Sequence, residues 1–261
     1  MESASNDEKI KDYNRNPNYE RRVVAFYDLL GWRAEIASAG NDPEKIGRLR
    51  RMLLLYSRLL KDIEGPVVVS TFSDNVVIST IPDKEATPVF LDTIATLQLH
   101  ATAKGFLMRG GIAVGNLIHD TEVVFGPALN RAYELESTVA NYPRIVVDDD
   151  VAKIGDTGTL LSTENGVSFL DPFTSKYFGD WIAGSKSGDQ LNATLENLGL
   201  PGGPLPKEQG FDALKKVLEV MKPRLKDPLP DREFAKIAWL YDRIAARLGV
   251  PPSSSYPRVR P

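Results

Sequence analysis

Two acidic residues far apart in the chain, Asp28 and Asp74, stand where side chains can do chemistry. Asp28 closes the apolar run Val23-Val24-Ala25-Phe26-Tyr27, and Leu29-Leu30-Gly31-Trp32 follows it. A strand therefore ends on a carboxylate, and a glycine turns the chain away. Asp74 stands at the tip of Ser73-Asp74-Asn75, between the β-branched runs 67–72 and 76–80, which read as the arms of a hairpin. Two carboxylates at adjacent strand ends, with the backbone carbonyl of Leu29 as a further acceptor, suit hard divalent cations, which take oxygen ligands. Taken singly, each Asp is equally well a turn residue, because turns favour Asp.

Two more segments join them. Leu107-Met108-Arg109-Gly110-Gly111-Ile112-Ala113-Val114-Gly115 reads as a strand that loses its side chains at a double glycine. Phe125-Gly126-Pro127-Ala128-Leu129-Asn130-Arg131-Ala132-Tyr133-Glu134-Leu135-Glu136 opens a helix, with proline in its first turn. In this order and spacing the segments, roughly residues 22–148, resemble the class III nucleotidyl cyclases. The Phe72-Ser73-Asp74-Asn75 hairpin and the Phe125–Glu136 run are similar to those of the stand-alone pyrimidine cyclases of bacterial anti-phage (Pycsar) systems.

The resemblance implies a homodimer with two active sites at its interface. It also implies two Mg²⁺ or Mn²⁺ ions per site on Asp28, Asp74 and the Leu29 carbonyl, and a cyclic UMP or cyclic CMP product read by a separate effector protein. In that frame Leu29, Leu30, Gly31 and Trp32 wrap the triphosphate with backbone N–H groups, while their apolar side chains pack inward. Asn130 corresponds to the family residue that orients the ribose and the transition state. The family carries Arg four positions later, where this chain has Glu134. Arg131 is the candidate replacement on the same helix, although it lies about 100° round an ideal helix from Asn130; Arg109, Arg33 and Lys104 are the others. Purine-using relatives place Lys four residues before the hairpin Asp and Asp seven before the helix Asn, where this chain has Ser70 and Val123. A smaller base would then meet the hydroxyl of Ser70 or Thr71, with Tyr56 or Arg109 narrowing the pocket; Tyr56 is equally a core residue of its helix. UTP is the expected substrate and CTP the alternative. A non-catalytic nucleotide-sensing dimer is the rival that the Glu at 134 favours. A palm-type polymerase would carry a Gly-Gly-Asp/Glu-x-Phe hairpin or a basic template surface, and the sequence has neither.

The elements that must position these groups are legible. Asp42-Pro43 caps a helix with apolar residues from Ile46 to Ile63 at helical spacing, ended by Gly65-Pro66. Thr87-Pro88 opens a second helix, stopped near Gly105. With the Arg109 strand, a short hairpin through His119-Asp120-Thr121, the Asn130 helix and a strand at 144–148, the order is an α+β, ferredoxin-like βαββαβ. Its helices are expected on one face of an antiparallel sheet. Residues 21–150 read as the catalytic core, following a flexible polar lead over 1–20. Residues 151–250 read as an extension packed on the core or dimer, and 251–261 as a tail. Within the extension, 166–173 reads as an edge strand and 174–210 as an irregular connection. Amphipathic helices follow at 211–222 and 231–248, divided by Pro223, Pro228 and Pro230.

Composition narrows the classes. A chain of 261 residues can bury a full core as one domain, or as one domain with an appended helical segment. A net charge of −3 gives no basic footprint for nucleic acid. Cysteine is absent, which excludes disulfides and thiolate metal sites and fits a cytoplasmic location. His100 and His119 are too far apart to pair on a metal and read as helix-face or loop residues. Arg48, Arg50 and Arg51 read as the wet side of the first helix, and Asp148-Asp149-Asp150 as a cap. No apolar stretch approaches the roughly 20 residues that cross a bilayer.

Overall fold

The computed structural model describes residues 18–59, 67–174, 207–226 and 229–255. Nearly all of the polar lead, the Gly65-Pro66 end of the first long helix, most of the 174–210 connection and the last six residues of the tail lie outside the described residues. The elements run β1 (Glu20–Leu30), α1 (Trp32–Ala39), α2 (Pro43–Leu59), β2 (Val68–Phe72), β3 (Asn75–Thr80), α3 (Ala86–Ala103) and β4 (Leu107–His119). Then come β5 (Val124–Phe125), α4 (Pro127–Glu134), a π turn (Leu135–Val139), β6 (Ile145–Val147), α5 (Asp149–Ala152), β7 (Leu161–Glu164) and β8 (Val167–Leu170). Two long helices close the chain, α6 (Lys207–Lys226) and α7 (Asp231–Leu248), before a single 3₁₀ turn.

Among the described residues the strands form one sheet in the order β2-β3-β1-β4-β6-β8-β7, with β5 paired to the end of β4. The first four are all antiparallel, which is the expected ferredoxin-like unit; β6 joins β4 in parallel. Alternation along β1 sorts its side chains between two layers. Val23, Ala25, Tyr27 and Leu29 pack with Leu49 and Met52 of α2 and Phe90, Leu91 and Ile94 of α3. Val24 and Phe26 point the other way, toward Ala128 and Ala132 of α4. The expectation of helices on one face therefore holds for α2 and α3 and is corrected for α4, which covers part of the opposite face.

The double glycine explains how α4 gets so close. A Cβ on Gly111 would lie 2.3 Å from Ala132 O and 2.6 Å from Leu135 Cβ. One on Gly110 would lie 2.6 Å from Tyr27 Cβ. Strand β4 is thus squeezed between β1 and the helix, and only glycine fits there.

Beyond residue 160 the chain differs from expectation in three places. The strand expected at the sheet edge, Val167–Leu170, lies between β6 and β7, and β7 is the edge. The two close a hairpin through Asn165 and Gly166, both at positive φ (53° and 75°), the conformation that an Asn-Gly pair favours. Helix α6 starts at Lys207, inside the stretch expected to be irregular, and runs through Pro223 to Lys226. Loss of one N–H there is offset because Leu225, two residues on, is buried with Leu214, Leu218 and Met221 against Ile237, Leu240, Tyr241 and Ile244 of α7. Leu99 of α3 and Leu107 of β4 join this second core.

Gly111→Ala is expected to destabilise the fold by about 2–4 kcal/mol, because its contacts are backbone and a packed Leu that cannot yield. Chemical denaturation reads this; an unchanged midpoint would show that α4 can move away from β4 freely.

Candidate active site

Asp28 lies near the C-terminal end of β1, and the β2–β3 turn brings Asp74 to the same place. The two line one cleft of about 450 Å³ with Leu29, Leu30, Gly31, Trp32, Arg33, Ile36 and Ser73. Gly31 adopts φ 80° and caps α1 without a side chain to bond its first-turn amides, and Gly31, Trp32 and Arg33 at that helix start line the cleft. Leu29 and Trp32 turn their side chains into the core, as expected, and Leu30 is half-buried. Ser73 is held at φ 57°, an uncommon conformation for a residue with a side chain, at the turn that presents Asp74.

Asp28 lies opposite Arg109 in the β1–β4 register, and Arg109 Nη2 donates to Asp28 Oδ2 at 3.5 Å. The same guanidinium forms an ion pair with Glu136, which the π turn after α4 buries. Burial raises the Asp28 carboxyl above its ordinary range, the nearby charge of Asp74 adds to this, and Arg109 and then Lys236 of α7 oppose it. Glu136 is also raised, first by burial and then by Asp28, against the pull of Arg109 and Lys236. Lys236 in turn is lowered, first by burial and then by Arg109.

Asp28 Oδ1 is buried and accepts no hydrogen bond among the described residues. An orphaned carboxylate oxygen beside a second carboxylate fits a hard divalent cation. The described residues hold no cluster of three or more His, Cys, Asp or Glu side chains suited to a metal. An ion on Asp28 and Asp74 would therefore draw its other ligands from backbone, water and substrate oxygens, as Mg²⁺ commonly does.

Of the remaining candidates among the described residues, Arg33 is the one that lines this cleft. Of the cations considered for position 134, Arg33 lines the cleft and Arg109 is committed to Asp28 and Glu136. Lys104 lies at the end of α3, lowered by burial and then by Arg51. Asn130 is exposed on α4. Arg131 beside it donates to Asp148 at 2.7 Å and Glu134 at 2.9 Å, and these carboxylates hold its guanidinium above its ordinary range. Asp148 thus serves Arg131 with its side chain, and caps α5 only through its backbone carbonyl. Arg48 is exposed as expected, yet it stacks on Phe106 at 4.2 Å and pairs with Glu35 at 2.9 Å. Tyr56 lies on α2, and its side chain is outside the described residues. Ser70 is on β2 and Val123 is exposed before β5.

Three participants escaped the sequence reading. Glu136 follows a helix whose regular spacing gives no sign of the π turn that buries it. Lys236 comes from the far end of the chain. His119, expected on a helix face or loop, is the buried last residue of β4, bonded between Ser70 and Ser79.

No family model matches the chain, and no curated protein matches it. Among solved structures it is similar to the monomeric guanylyl cyclase domain of the RhoGC fusion protein from the aquatic fungus Blastocladiella emersonii, at 19% identity and a TM-score of 0.47, over 58% of this chain and 94% of that one. It is also similar to a bacterial light-regulated adenylyl cyclase, at 14% identity and a TM-score of 0.44, over 62% of this chain and 54% of that one. A further structure of a bacterial light-regulated adenylyl cyclase is similar at 16% identity and a TM-score of 0.41, over 69% of this chain and 100% of that one. No helix among the described residues is long and apolar enough to cross a membrane.

Burial holds both His100 and His119 down to about 4, with Lys104 adding to the effect on the first and Arg22 on the second. The unfolded chain binds those protons near 6.5. Between about 6.5 and 4 the unfolded state therefore carries more protons, and stability falls as pH falls through that window. The raised carboxyls of Asp28 and Glu136 act with the opposite sign. His100→Gln is expected to flatten the slope of unfolding free energy against pH over this range; an unaltered slope would show that His100 titrates normally in the fold.

Proposed function

We propose that the chain is a nucleotidyl cyclase that converts a pyrimidine nucleoside triphosphate, UTP before CTP, to its 3′,5′-cyclic monophosphate and pyrophosphate. The observation that carries this reading is the meeting of Asp28 and Asp74, 46 positions apart in the chain (74 − 28), in one cleft against the N-terminus of α1. Two Mg²⁺ or Mn²⁺ ions held by these carboxylates and the Leu29 carbonyl would lower the pKa of the ribose 3′-hydroxyl and neutralise the triphosphate. The chain's own groups do the rest. The amides at the start of α1 and the Arg33 guanidinium take the phosphate oxygens, since a helix N-terminus and a cation both stabilise developing negative charge. Arg109 opposes the burial that raises the Asp28 carboxyl. Ser70, in the position where purine-using relatives carry Lys, gives the base a hydroxyl in place of an ammonium.

A homodimer completes the site. In this reading Asn130 and Arg131 of one protomer face the Asp28 and Asp74 cleft of the other. Exposed aromatic surface supports a partner on the open face of the sheet. Phe72 is 82% exposed, and Tyr133 is 55% exposed where it edges on to Phe26. The product, cyclic UMP, would act as a cytoplasmic antiviral signal read by a separate effector protein, as the sequence resemblance implies. The alternative of a nucleotide-sensing dimer without turnover is favoured by one feature, the neutralisation of Arg131 by Glu134 and Asp148.

Incubating purified protein with each of the four ribonucleoside triphosphates and Mn²⁺, with products identified by mass spectrometry, tests the reading. Cyclic UMP should dominate, chelator should abolish it, and Asp28→Ala or Asp74→Ala should each lower turnover by about a hundredfold or more. Near-normal turnover in both variants would refute the metal assignment, while nucleotide binding with no cyclic product would favour the sensor. For the dimer, mixing Asp74→Ala with Asn130→Ala protomers should restore part of the lost activity, because one intact site remains per heterodimer. An active protein that sediments as a monomer would exclude this arrangement.

A further inference from the structure

A buried chain of hydrogen bonds ends on Ser70. Arg22 Nε donates to Ser79 Oγ at 2.8 Å, Ser79 Oγ lies 2.8 Å from His119 Nδ1, and His119 Nε2 lies 3.0 Å from Ser70 Oγ. Arg22, Ser79 and His119 are buried, while Ser70 is half-buried on the edge strand.

The direction of the protons along this chain is set from its buried end. A guanidinium only donates, so Ser79 Oγ accepts from Arg22, and its single proton then needs an acceptor. The acceptor that the described residues place within reach of it is His119 Nδ1, 2.8 Å away, and giving the proton there leaves no donor of this buried group unpaired. His119 remains neutral at pH 7, because burial and the Arg22 charge hold it down to about 4. A neutral imidazole that accepts at Nδ1 carries its proton on Nε2 and donates to Ser70 Oγ. Ser70 is left with its own O–H to give away.

The place of Ser70 suits a nucleotide whose phosphates lie at Asp28 and Asp74. Ser70 pairs with Val77 and Val77 with Phe26, so Ser70 stands two strand spacings, about 10 Å, across the sheet from Phe26. That residue is one pleat, about 7 Å, behind Asp28. Phe72, next on the same face of β2 and 82% exposed, offers a ring on which a base can stack.

We infer that Arg22, Ser79 and His119 are positioning residues that fix Ser70 as a hydrogen-bond donor toward the base, so that the site selects a keto pyrimidine, uracil through O4, over cytosine. The 4-amino group of cytosine meets a donor with donors and leaves both unpaired, which costs about tenfold to a hundredfold in selectivity. This rests on the cyclase function proposed above and deepens it by naming the base.

The test is the ratio of kcat/KM for UTP to that for CTP with Mn²⁺, in the full-length protein and in variants whose thermal midpoints are recorded. The unaltered protein should prefer UTP by about tenfold or more. Ser79→Ala frees His119 to adopt either tautomer, so the ratio should fall toward one. His119→Gln presents an amide oxygen to Ser79 and an N–H to Ser70, and should keep the ratio; His119→Phe should lose it. Ser70→Ala, on a half-exposed edge position where folding is least at risk, should lower UTP turnover far more than CTP turnover. Equal turnover of UTP and CTP by the unaltered protein, or a ratio unmoved in folded Ser79→Ala and Ser70→Ala variants, overturns the relay and leaves the cyclase reading standing. Absence of cyclic product from all four triphosphates overturns the cyclase reading and the relay with it.

Discussion

The antiparallel pairing of β1 with β4, continuous from Glu20 opposite Leu117 to Leu30 opposite Leu107, is the constraint on which the rest depends. It sets Asp28 opposite Arg109, and a register slip by one residue would carry Asp28 to the face that packs on α2 and α3. Two glycines make the pairing compatible with its surroundings. Gly110 lets β4 lie against Tyr27, and Gly111 lets α4 and the π turn close over β4. That closure delivers Glu136 to Arg109, so a backbone fit between strand and helix determines the charge balance around Asp28.

The resulting cluster is under electrostatic tension that suits a cation. Beyond burial, Asp74 raises the cost of ionising Asp28, and Asp28 that of Glu136, with Arg109 and Lys236 as the opposing charges. Arg109 occupies one oxygen of Asp28 and leaves the other buried without a partner. A carboxylate in that state gains by accepting a hard ion, which supplies the missing charge compensation. Helix α7 takes part because its apolar face packs with α6 on Leu99 and Leu107, at the strand end next to Arg109, which brings Lys236 within electrostatic reach. The C-terminal helices therefore contribute charge as well as packing.

Local signals made much of this legible in the sequence. The apolar run of β1, the Ser-Asp-Asn hairpin and the Asp42 cap, whose carboxylate accepts from the amides of Glu44 and Lys45 at 2.9 and 3.3 Å, each depend on neighbours within a few residues. What stayed hidden depends on partners far along the chain. Nothing near Glu136 shows that the helix widens into a π turn, because the cause is the close approach of Gly111. Pro223 ends a helix by local rules, and only the burial of Leu225 against α7 overrules it. The Asn165-Gly166 hairpin was available locally, and its neighbours read as one edge strand because the flanking run 161–164 is polar. His119 has no local mark at all, since its role comes from Ser70 and Ser79 on other strands.

Strand β1 carries Arg22, Phe26 and Asp28 on one face, and in the proposed reading these would serve opposite ends of a nucleotide by different physics. At the phosphate end, charge is balanced among carboxylates, guanidinium and amides, an interaction that tolerates small displacements because it falls off slowly with distance. At the base end, selection depends on which atom holds a proton, which changes completely when one donor in the chain is lost. The same strand must therefore be rigid for the second purpose even where the first would permit motion. Its position inside the sheet, paired with β4 along its whole length and with β3 over Val23–Tyr27, supplies that rigidity; on β2, at the sheet edge among the described residues, the Ser70–His119 bond adds to the pairing with β3. A site that read charge at one end and proton position at the other would need a strand held on both sides, as β1 is over Val23–Tyr27.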